Sequence, residues 1–236
     1  MLLHSAQLTE RIYMFKDFDK KYTPKTLNDI VFQTAKTRKM AECLTNGAFG
    51  FPMSGINGIL LYGVYGSGKS ALAKIMPQII ETANGGDEAL VSYFNIAQGG
   101  DNGASVIESI KRQAELVPYC KYHYFVLDEV DNLRADSMSS LKVAMNINAM
   151  NSVYILTTNN LSKVEGGVKN RCVLLEFNAA ASVEWLPKFK DILADYGVTH
   201  IADDLLLDVI EACNGSARQI MLAARRLIAE KTLLAA

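Results

Sequence analysis

Short runs of apolar and β-branched residues alternate with longer stretches of helical periodicity between residues 59 and 177. The runs lie at residues 59–62, 90–96, 122–127, 152–157 and 172–177. Apolar residues recur at helical spacing at residues 71–82, 104–116 and 141–150. Such runs predict buried strands, and such spacing predicts helices. Because strands separated by helices are typical of parallel sheets, we expect an α/β fold with a five-stranded parallel sheet between helices.

The pattern changes after residue 178, where no further strand is predicted. Three amphipathic stretches follow, at residues 183–196, 203–213 and 216–234. Gly197 ends the first stretch and Gly215 precedes the last, and glycine commonly bounds a helix in this way. We therefore expect two domains: an αβα domain with an N-terminal arm at residues 1–178, and a small all-helical domain at residues 179–236.

Composition and charge describe an ordinary globular protein. Half of the 236 residues are apolar, 21% are charged and the formal net charge is -1, so no overall positive field argues for nucleic-acid binding. No window contains the roughly 18 to 20 consecutive apolar residues of a membrane span, and the first residues are too charged for a signal peptide. We expect a cytoplasmic protein with no membrane partner.

The cysteines are few and widely spaced. They are Cys43, Cys120, Cys172 and Cys213, and the chain has three histidines. Without a C-x-x-C pair, this pattern favours neither a zinc site nor a disulfide framework. We expect four small buried residues in a reducing compartment.

A glycine-rich turn follows the first predicted strand. Its letters, GVYGSGKS at residues 63–70, match the phosphate-binding pattern G-x-x-x-x-G-K-[ST] at every fixed position. Glycine permits backbone conformations that let successive N–H groups converge on phosphate oxygens at a helix N-terminus. The lysine adds a charge for the outer phosphates, and the serine hydroxyl can bind Mg²⁺. The predicted nucleotide-binding residues of this turn are Gly63, Val64, Tyr65, Gly66, Ser67, Gly68, Lys69, Ser70 and Ala71.

Two carboxylates directly follow the third predicted strand, in the sequence FVLDEVD. Asp128 stands at the carboxyl end of the strand, where an acidic residue beside the phosphate loop can hold Mg²⁺ through its water shell. We therefore assign the metal to Ser70 and Asp128. The next residue, Glu129, can orient and deprotonate the water that attacks the γ-phosphate. The two carboxylates predict hydrolysis of a nucleoside triphosphate as well as its binding.

Asn159 follows the fourth predicted strand. Because the carboxyl ends of parallel strands meet at one edge of a sheet, we expect this residue close to the phosphate loop and the two carboxylates. A neutral amide there can hydrogen-bond both the attacking water and the γ-phosphate without adding charge. Asn159 is therefore a candidate sensor of the γ-phosphate.

The segment before the first strand allows two interpretations. Pro24 forces an extended backbone there. The segment is either an arm that packs along the surface, or the apolar wall of a pocket for the nucleotide base, formed by Tyr22, Pro24, Ile30 and Val31. The sequence leaves both interpretations open.

Five motifs together resemble those of an AAA+ ATPase. They are GVYGSGKS, FVLDEVD, TTNN at residues 157–160, NRC at residues 170–172 and GSARQ at residues 215–219. The opening KKYTPKTLNDIVFQ at residues 20–33 is similar to that of the clamp-loader group, which comprises the replication factor C small subunits and their phage and bacterial relatives. The resemblance covers roughly residues 20–227. It implies a P-loop AAA+ core with a helical lid, ATP as the nucleotide and Mg²⁺ as the metal.

The resemblance also implies roles for three residues. Asn159 is similar to the family's first sensor, and Arg218 to its second sensor, which reaches from the lid to the γ-phosphate. Arg171 occupies the arginine of the clamp loaders' S-R-C motif, which stabilises charge on the nucleotide of the neighbouring subunit. Hydrolysis is then expected to depend on assembly into a homo- or hetero-oligomer of AAA+ subunits.

The sequence departs from the clamp-loader pattern in three ways. The family's K-Y-R-P is K-Y-T-P at residues 21–24, so its arginine is missing, whereas S-R-C is N-R-C at residues 170–172 and retains the arginine. Clamp-loader subunits also have a C-terminal helical collar, and this sequence ends after the predicted lid. We expect a ring to form through the ATPase modules themselves, a partner, or a collar outside this sequence.

Contact with DNA is a further implication of the resemblance. The matching segment is the loop and helix start at residues 101–107, where the backbone N–H groups of residues 103–105, aided by Lys111 and Arg112, can bind duplex phosphates. The carboxylate of Asp101 opposes such contacts. We expect DNA binding by an assembly more than by the isolated chain.

These observations predict an ATP-driven motor subunit of a DNA-replication assembly, which loads a sliding clamp or a related ring. One alternative is a helicase loader or a phage accessory ATPase, whose partner is a replicative helicase. Another is a structural subunit that binds nucleotide without hydrolysing it, although the presence of Glu129 argues against this. The cargo and the number of subunits stay open.

Overall fold

The fold is a five-stranded parallel sheet between two layers of helices, followed by a helical segment. A computed structural model describes residues 15–53, 55–96 and 103–234. The strands are β1 (Gly58–Tyr62), β2 (Val91–Asn95), β3 (His123–Asp128), β4 (Ser152–Thr158) and β5 (Cys172–Glu176). Their order is β2-β3-β4-β1-β5, and all neighbours are parallel. The predicted α/β fold with five parallel strands is confirmed.

The central strands are buried on both faces of the sheet. Leu60 of β1, Leu127 of β3 and Ile155 of β4 are fully buried, which explains why these strands appear in the sequence as continuous apolar runs. β2 differs because it is an edge strand, and its side chains alternate between exposed and half-buried.

Helices cover both faces of the sheet. On one face lie α2 (Ala35–Thr45) and α3 (Lys69–Ala83), and on the other α4 (Ala104–Ala114) and α5 (Ala135–Ala144). The short helix α6 (Gly166–Lys169) leads into β5. The sheet and its helices thus form two apolar layers, and the carboxyl ends of all five strands lie along one edge.

The helix predicted at residues 141–150 is wrong in its bounds. The observed helix α5 begins at Ala135 and ends at Ala144. Asn148 has a left-handed backbone with a φ of 45°, which an α-helix cannot contain, and its side-chain amide donates to the carbonyl of Ala114 at 2.6 Å. The early start was missed because the first turns of α5 consist largely of Asp and Ser, which are weak helix formers.

Three further helices follow the sheet: α7 (Ser182–Ala194), α8 (Asp203–Glu211) and α9 (Ala217–Leu234). Their apolar faces, including Phe189, form a third apolar cluster. A short helix near the start of the described chain, α1 (Phe18–Tyr22), also contributes to this cluster. Phe18 is buried against it, with the guanidinium of Arg225 4.8 Å from its ring centroid. The first part of the arm therefore packs on the helical segment.

The cysteines are less buried than the sequence predicts. Cys172 is buried, but Cys43, Cys120 and Cys213 are partly exposed, so the prediction of four buried cysteines is wrong for three of them.

Within the described residues, no helix combines the length and the apolar character that a membrane crossing requires. The predicted DNA-contact segment at residues 101–107 begins with Asp101, and residues 101 and 102 lie outside the described residues.

Candidate active site

The glycine-rich turn connects β1 to α3 at the carboxyl edge of the sheet. Gly63 has a φ of 148°, and a Cβ on it would lie 2.5 Å from the carbonyl oxygen of Phe177. Gly66 has a φ of 75°, and a Cβ there would lie 2.6 Å from the hydroxyl of Ser216. Both positions therefore require glycine for conformation and for space.

The segment after β5 holds the turn in place. The hydroxyl of Ser67 is buried and donates to the carbonyls of Phe177 at 2.8 Å and Val64 at 3.0 Å. The side-chain oxygen of Asn178 accepts from the amide of Val64 at 3.2 Å. These bonds hold in place a turn that contains three glycines.

Lys69 begins α3 and is 6% exposed. Its ammonium donates to the carbonyls of Gly63 at 3.0 Å and Val64 at 2.6 Å. Burial lowers the pKa of Lys69 to about 8, and the negative charges of Asp128, Asp131 and Glu129 oppose that change. The loop thus holds a cation whose charge is incompletely compensated, which favours an anionic ligand.

Asp128 ends β3, and both of its carboxylate oxygens accept hydrogen bonds. Its Oδ1 accepts from the hydroxyls of Ser70 at 2.8 Å and Thr157 at 2.5 Å. Its Oδ2 accepts from the phenol of Tyr93 at 2.8 Å. Burial, followed by the hydrogen bond to Asp128, raises the pKa of Tyr93, so the phenol stays a donor.

The residues of this site fit a triphosphate with Mg²⁺. Gly66 and Gly68 line the cavity without side chains, so the backbone there can approach phosphate oxygens closely. Ser70 and Asp128 offer oxygen donors, which Mg²⁺ prefers, and they lie within hydrogen-bond distance of each other. Ser70 and Asp128 are therefore the candidate metal ligands.

Glu129 has an unusual backbone for a residue with a side chain. Its φ is 61°, a left-handed conformation that costs about 1 to 2 kcal/mol for a residue other than glycine. Its amide donates to the hydroxyl of Thr157 at 3.0 Å, and its Oε2 accepts from the side-chain amide of Asn132 at 3.2 Å. Backbone strain of this kind is commonly found where a side chain must point into a functional site.

A cavity of about 330 Å³ lies beside the loop. Eleven of the predicted residues line it, namely Tyr22, Pro24, Tyr65, Gly66, Gly68, Lys69, Ser70, Ala71, Glu129, Asn159 and Arg218. They come from the arm, the loop, the ends of β3 and β4, and the helical segment. Its volume lies at the lower end of the range for ligand pockets. The fold therefore brings together most of the residues selected from the sequence.

The helical segment contacts the glycine-rich turn directly. The amide of Ala217, at the start of α9, donates to the carbonyl of Gly66 at 2.9 Å. Arg218 is the next residue and lines the cavity. An arginine placed there can contact an outer phosphate from the lid side.

Ile30 and Val31 line a neighbouring groove of about 630 Å³. Tyr22 and Asp29 line both the groove and the cavity beside the loop. The structure thus places Tyr22 and Pro24 in the cavity and the two aliphatic residues next to it. The base pocket stays a proposal for all four.

Arg171 lies far from the cavity. It immediately precedes β5, which pairs with β1 so that Cys172 is opposite Gly58 and Glu176 is opposite Tyr62. The glycine-rich turn begins at Gly63, six residues further along the paired strands than Arg171, so Arg171 is at the other end of the strands, about 20 Å away at 3.3 Å per residue. Its Nε donates to the side-chain oxygen of Asn146 at 2.8 Å, and its Nη1 to the carbonyl of Gly167 at 2.7 Å. Arg171 cannot reach the cavity of its own chain.

The proposed DNA-binding segment is described only in part. Gly103 precedes α4 with a φ of 85°, and residues 104 and 105 form its first turn. Lys111 pairs with Glu108 at 3.0 Å, which reduces its charge toward an external anion. Arg112 is exposed in the last turn.

Sequence reasoning missed several residues of the site. Thr157 contacts both Asp128 and Glu129, Tyr93 contacts Asp128, and Trp185 and Lys188 line the cavity from α7. The hydroxyl of Thr157 had a recognisable signal, since it lies two residues before Asn159 at a strand end. Tyr93 and Trp185 had none, because aromatic residues on strands and helices usually serve packing.

The chain matches the family described as "ATPase family associated with various cellular activities (AAA)" over residues 59–177. This span begins in β1 and ends after β5, so it includes the glycine-rich turn, both carboxylates and Asn159.

Curated relatives extend the similarity into the helical segment. Replication factor C small subunit 2 of Pyrobaculum islandicum is 25% identical over 203 residues, which cover 85% of this chain and 60% of that protein. The replication factor C large subunit of Methanospirillum hungatei is 26% identical over 208 residues, covering 86% of this chain and 40% of that protein. The chain spans about three fifths of the small subunits it matches.

Among solved structures, Thermotoga maritima RuvB, described as a Holliday junction branch migration motor, is similar in fold. It superposes with a TM-score of 0.68 at 17% identity, covering 91% of this chain and 68% of RuvB. At this identity the likeness establishes the fold alone.

Proposed function

Because the chain belongs to the AAA family of ATPases, we propose that it binds and hydrolyses ATP as one subunit of a clamp-loader-like motor in DNA replication. The observation that most supports this proposal is the convergence of Lys69, Ser70 and Glu129 at one cavity, with Asp128 hydrogen-bonded to Ser70, on a chain similar to replication factor C subunits. A replication motor of this kind would act in the cytoplasm, beside DNA.

In the proposed mechanism the glycine-rich turn binds the phosphates. Its N–H groups and the N-terminus of α3 face the phosphate oxygens, and the ammonium of Lys69 moves from its own loop carbonyls to the outer phosphates. Ser70 and Asp128 would hold Mg²⁺, which when bound neutralises charge on the β- and γ-phosphates. Tyr22 and Pro24 contact the base from the arm.

Hydrolysis requires a base and a sensor at the γ-phosphate. Glu129 accepts a proton from the attacking water, and its strained backbone directs it into the cavity. Asn159 donates a hydrogen bond to the γ-phosphate or to the water, and Arg218 contacts the γ-phosphate from the lid. These groups place the water and leave the negative charge of the transition state only partly compensated.

The missing positive charge comes from a neighbouring subunit in this proposal. Arg171 is at the opposite end of β5 from the cavity, so it serves another chain's site in an oligomer. An arginine supplied in this way couples hydrolysis to assembly. The subunits are copies of this chain or of a related AAA+ subunit.

Removing the charge of Lys69 tests nucleotide binding. Lys69→Ala is expected to weaken ATP binding about 10- to 100-fold, because charge-assisted hydrogen bonds contribute about 1.5 to 3 kcal/mol each. Titration calorimetry with ATP and Mg²⁺ measures this change. Lys163→Ala, which removes an exposed lysine outside the cavity, is the control and should bind ATP as the wild type does. Equal affinity of all three proteins would contradict the proposed site.

An exposed apolar turn supports a protein partner. Between α4 and β3, Val117 and Tyr119 are each 92% exposed and Leu116 is 64% exposed. Large apolar side chains exposed together commonly mark an interaction site. We assign this turn to the sliding clamp, and the start of α4 to duplex DNA within the assembly.

Replacing Val117 and Tyr119 together by serine should weaken binding to the organism's own sliding clamp by at least about 10-fold, because each buried apolar side chain contributes about 1.5 to 3 kcal/mol. Surface plasmon resonance with immobilised clamp measures the affinity, and ATP binding should not change. Val183→Ser alters an exposed valine of α7 and is the control. Loss of binding to a replicative helicase, with no clamp binding by the wild type, would favour a helicase loader.

A further inference from the structure

We propose that Tyr93 is a positioning residue for the metal site, which fixes the carboxylate of Asp128 through its phenol. This inference rests on the proposed function, since Asp128 is assigned there to Mg²⁺. The phenol donates to Oδ2 of Asp128 at 2.8 Å. Tyr93 is on the edge strand of the sheet and belongs to none of the motifs that the sequence offers for nucleotide chemistry.

Strand register places the two side chains together. Tyr93 is opposite Val126 and Asn95 is opposite Asp128, so Tyr93 and Asp128 are diagonal neighbours on paired strands. Val126 packs in the apolar layer that contains α3, and residues two apart on a strand share a face. Both side chains therefore lie on the face that carries α3, and a tyrosine is long enough to span the diagonal.

The carboxylate is held from three separate elements. Ser70 of α3 and Thr157 of β4 donate to Oδ1, and Tyr93 of β2 donates to Oδ2. The hydroxyls on Oδ1 alone would let the carboxylate rotate about the Cβ–Cγ bond. A donor on Oδ2 fixes its plane, and outer hydrogen-bond partners of this kind orient metal ligands and commonly change metal affinity 10- to 100-fold.

The ring of Tyr93 also contacts a side chain of α3. The ammonium of Lys74, on α3, lies 4.9 Å from the ring centroid. Replacing Tyr93 by phenylalanine keeps this ring contact and removes the hydroxyl alone. The variant therefore separates the phenol's effect on Asp128 from the packing of the edge strand.

The test compares nucleotide binding with and without the metal. A fluorescent ATP analogue is titrated against wild type and Tyr93→Phe in EDTA, and then at fixed nucleotide with increasing Mg²⁺. We expect the dissociation constant of the ATP analogue in EDTA to change less than about twofold in Tyr93→Phe. The Mg²⁺ concentration that gives half of the maximal fluorescence change should rise about 10-fold. Tyr122→Phe, on the neighbouring chain segment before β3, is the control and should behave as the wild type in both titrations.

Three outcomes would overturn the inference. An unchanged Mg²⁺ requirement in Tyr93→Phe would show that the phenol does not position Asp128. An equal loss of affinity for the ATP analogue in EDTA and in Mg²⁺ would indicate a structural role for the side chain. A wild-type chain that binds no adenine nucleotide in either titration would instead reject the proposed function, and the role of Tyr93 with it.

Discussion

Glu129→Gln is expected to lower ATP turnover by about 100-fold or more while ATP affinity stays within about twofold of the wild type. A positioned general base commonly contributes a factor of 100 to 10,000, and glutamine keeps the shape of the side chain but cannot accept the proton. Glu129 lines the cavity but makes none of the contacts that hold the phosphate loop. The variant should therefore bind ATP and retain it.

Two measurements on the same preparation distinguish this result from simple unfolding. Phosphate release gives turnover, and titration calorimetry gives affinity. Glu108→Gln neutralises an exposed glutamate of α4, paired only with Lys111 among the described ion pairs, and should leave both quantities unchanged. Turnover by Glu129→Gln close to the wild-type rate would assign the base to another group. A large loss of affinity would instead place Glu129 in nucleotide binding.

Much of the site could be predicted because its chemistry is local in sequence. The turn at residues 63–70 contains its glycines, lysine and serine in one stretch, and Asp128 and Glu129 directly follow an apolar strand. Parallel strands then place their carboxyl ends at one edge, which also brings Asn159 to the cavity. This part of the prediction therefore requires little knowledge of contacts between residues that are distant in sequence.

The remaining contacts depend on register and on packing between distant elements. Tyr93 reaches Asp128 because Asn95 is paired with Asp128, a register that no pattern within β2 defines. The burial of Phe18 follows from the helical segment at the other end of the chain. The bounds of α5 were missed because serine and aspartate conceal helical periodicity. Each of these depends on partners that are remote in sequence.

Packing also decides where Arg171 can act. Sequence alone places it in a motif, and the distance along β5 then excludes it from the cavity of its own chain. Its guanidinium is oriented by Asn146 and Gly167, so it is held in place at the amino edge of the sheet. A fixed arginine costs less to position against an approaching phosphate than a mobile one.

Arg171→Ala is accordingly expected to reduce ATP turnover of the assembled protein by about 1,000-fold or more, the range of arginine fingers in related reactions. ATP affinity of the isolated chain should not change, because Arg171 is remote from its own cavity. Turnover is measured at protein concentrations where native mass measurements with ATP and Mg²⁺ show oligomers. Arg226→Ala, at an exposed position of α9, is the control and should hydrolyse ATP normally.

Mixing the two inactive variants decides whether the arginine acts between subunits. In an oligomer of Arg171→Ala and Glu129→Gln chains, some interfaces combine an intact Glu129 with an intact Arg171 from the neighbour. Random assembly at equal amounts makes about a quarter of the interfaces complete, so turnover should return to about that fraction of the wild-type rate. If Arg171 acted only on its own chain's nucleotide, no site in the mixture would be complete. A mixture as inactive as its components, in oligomers shown to contain both chains, would therefore reject the action of Arg171 across the interface.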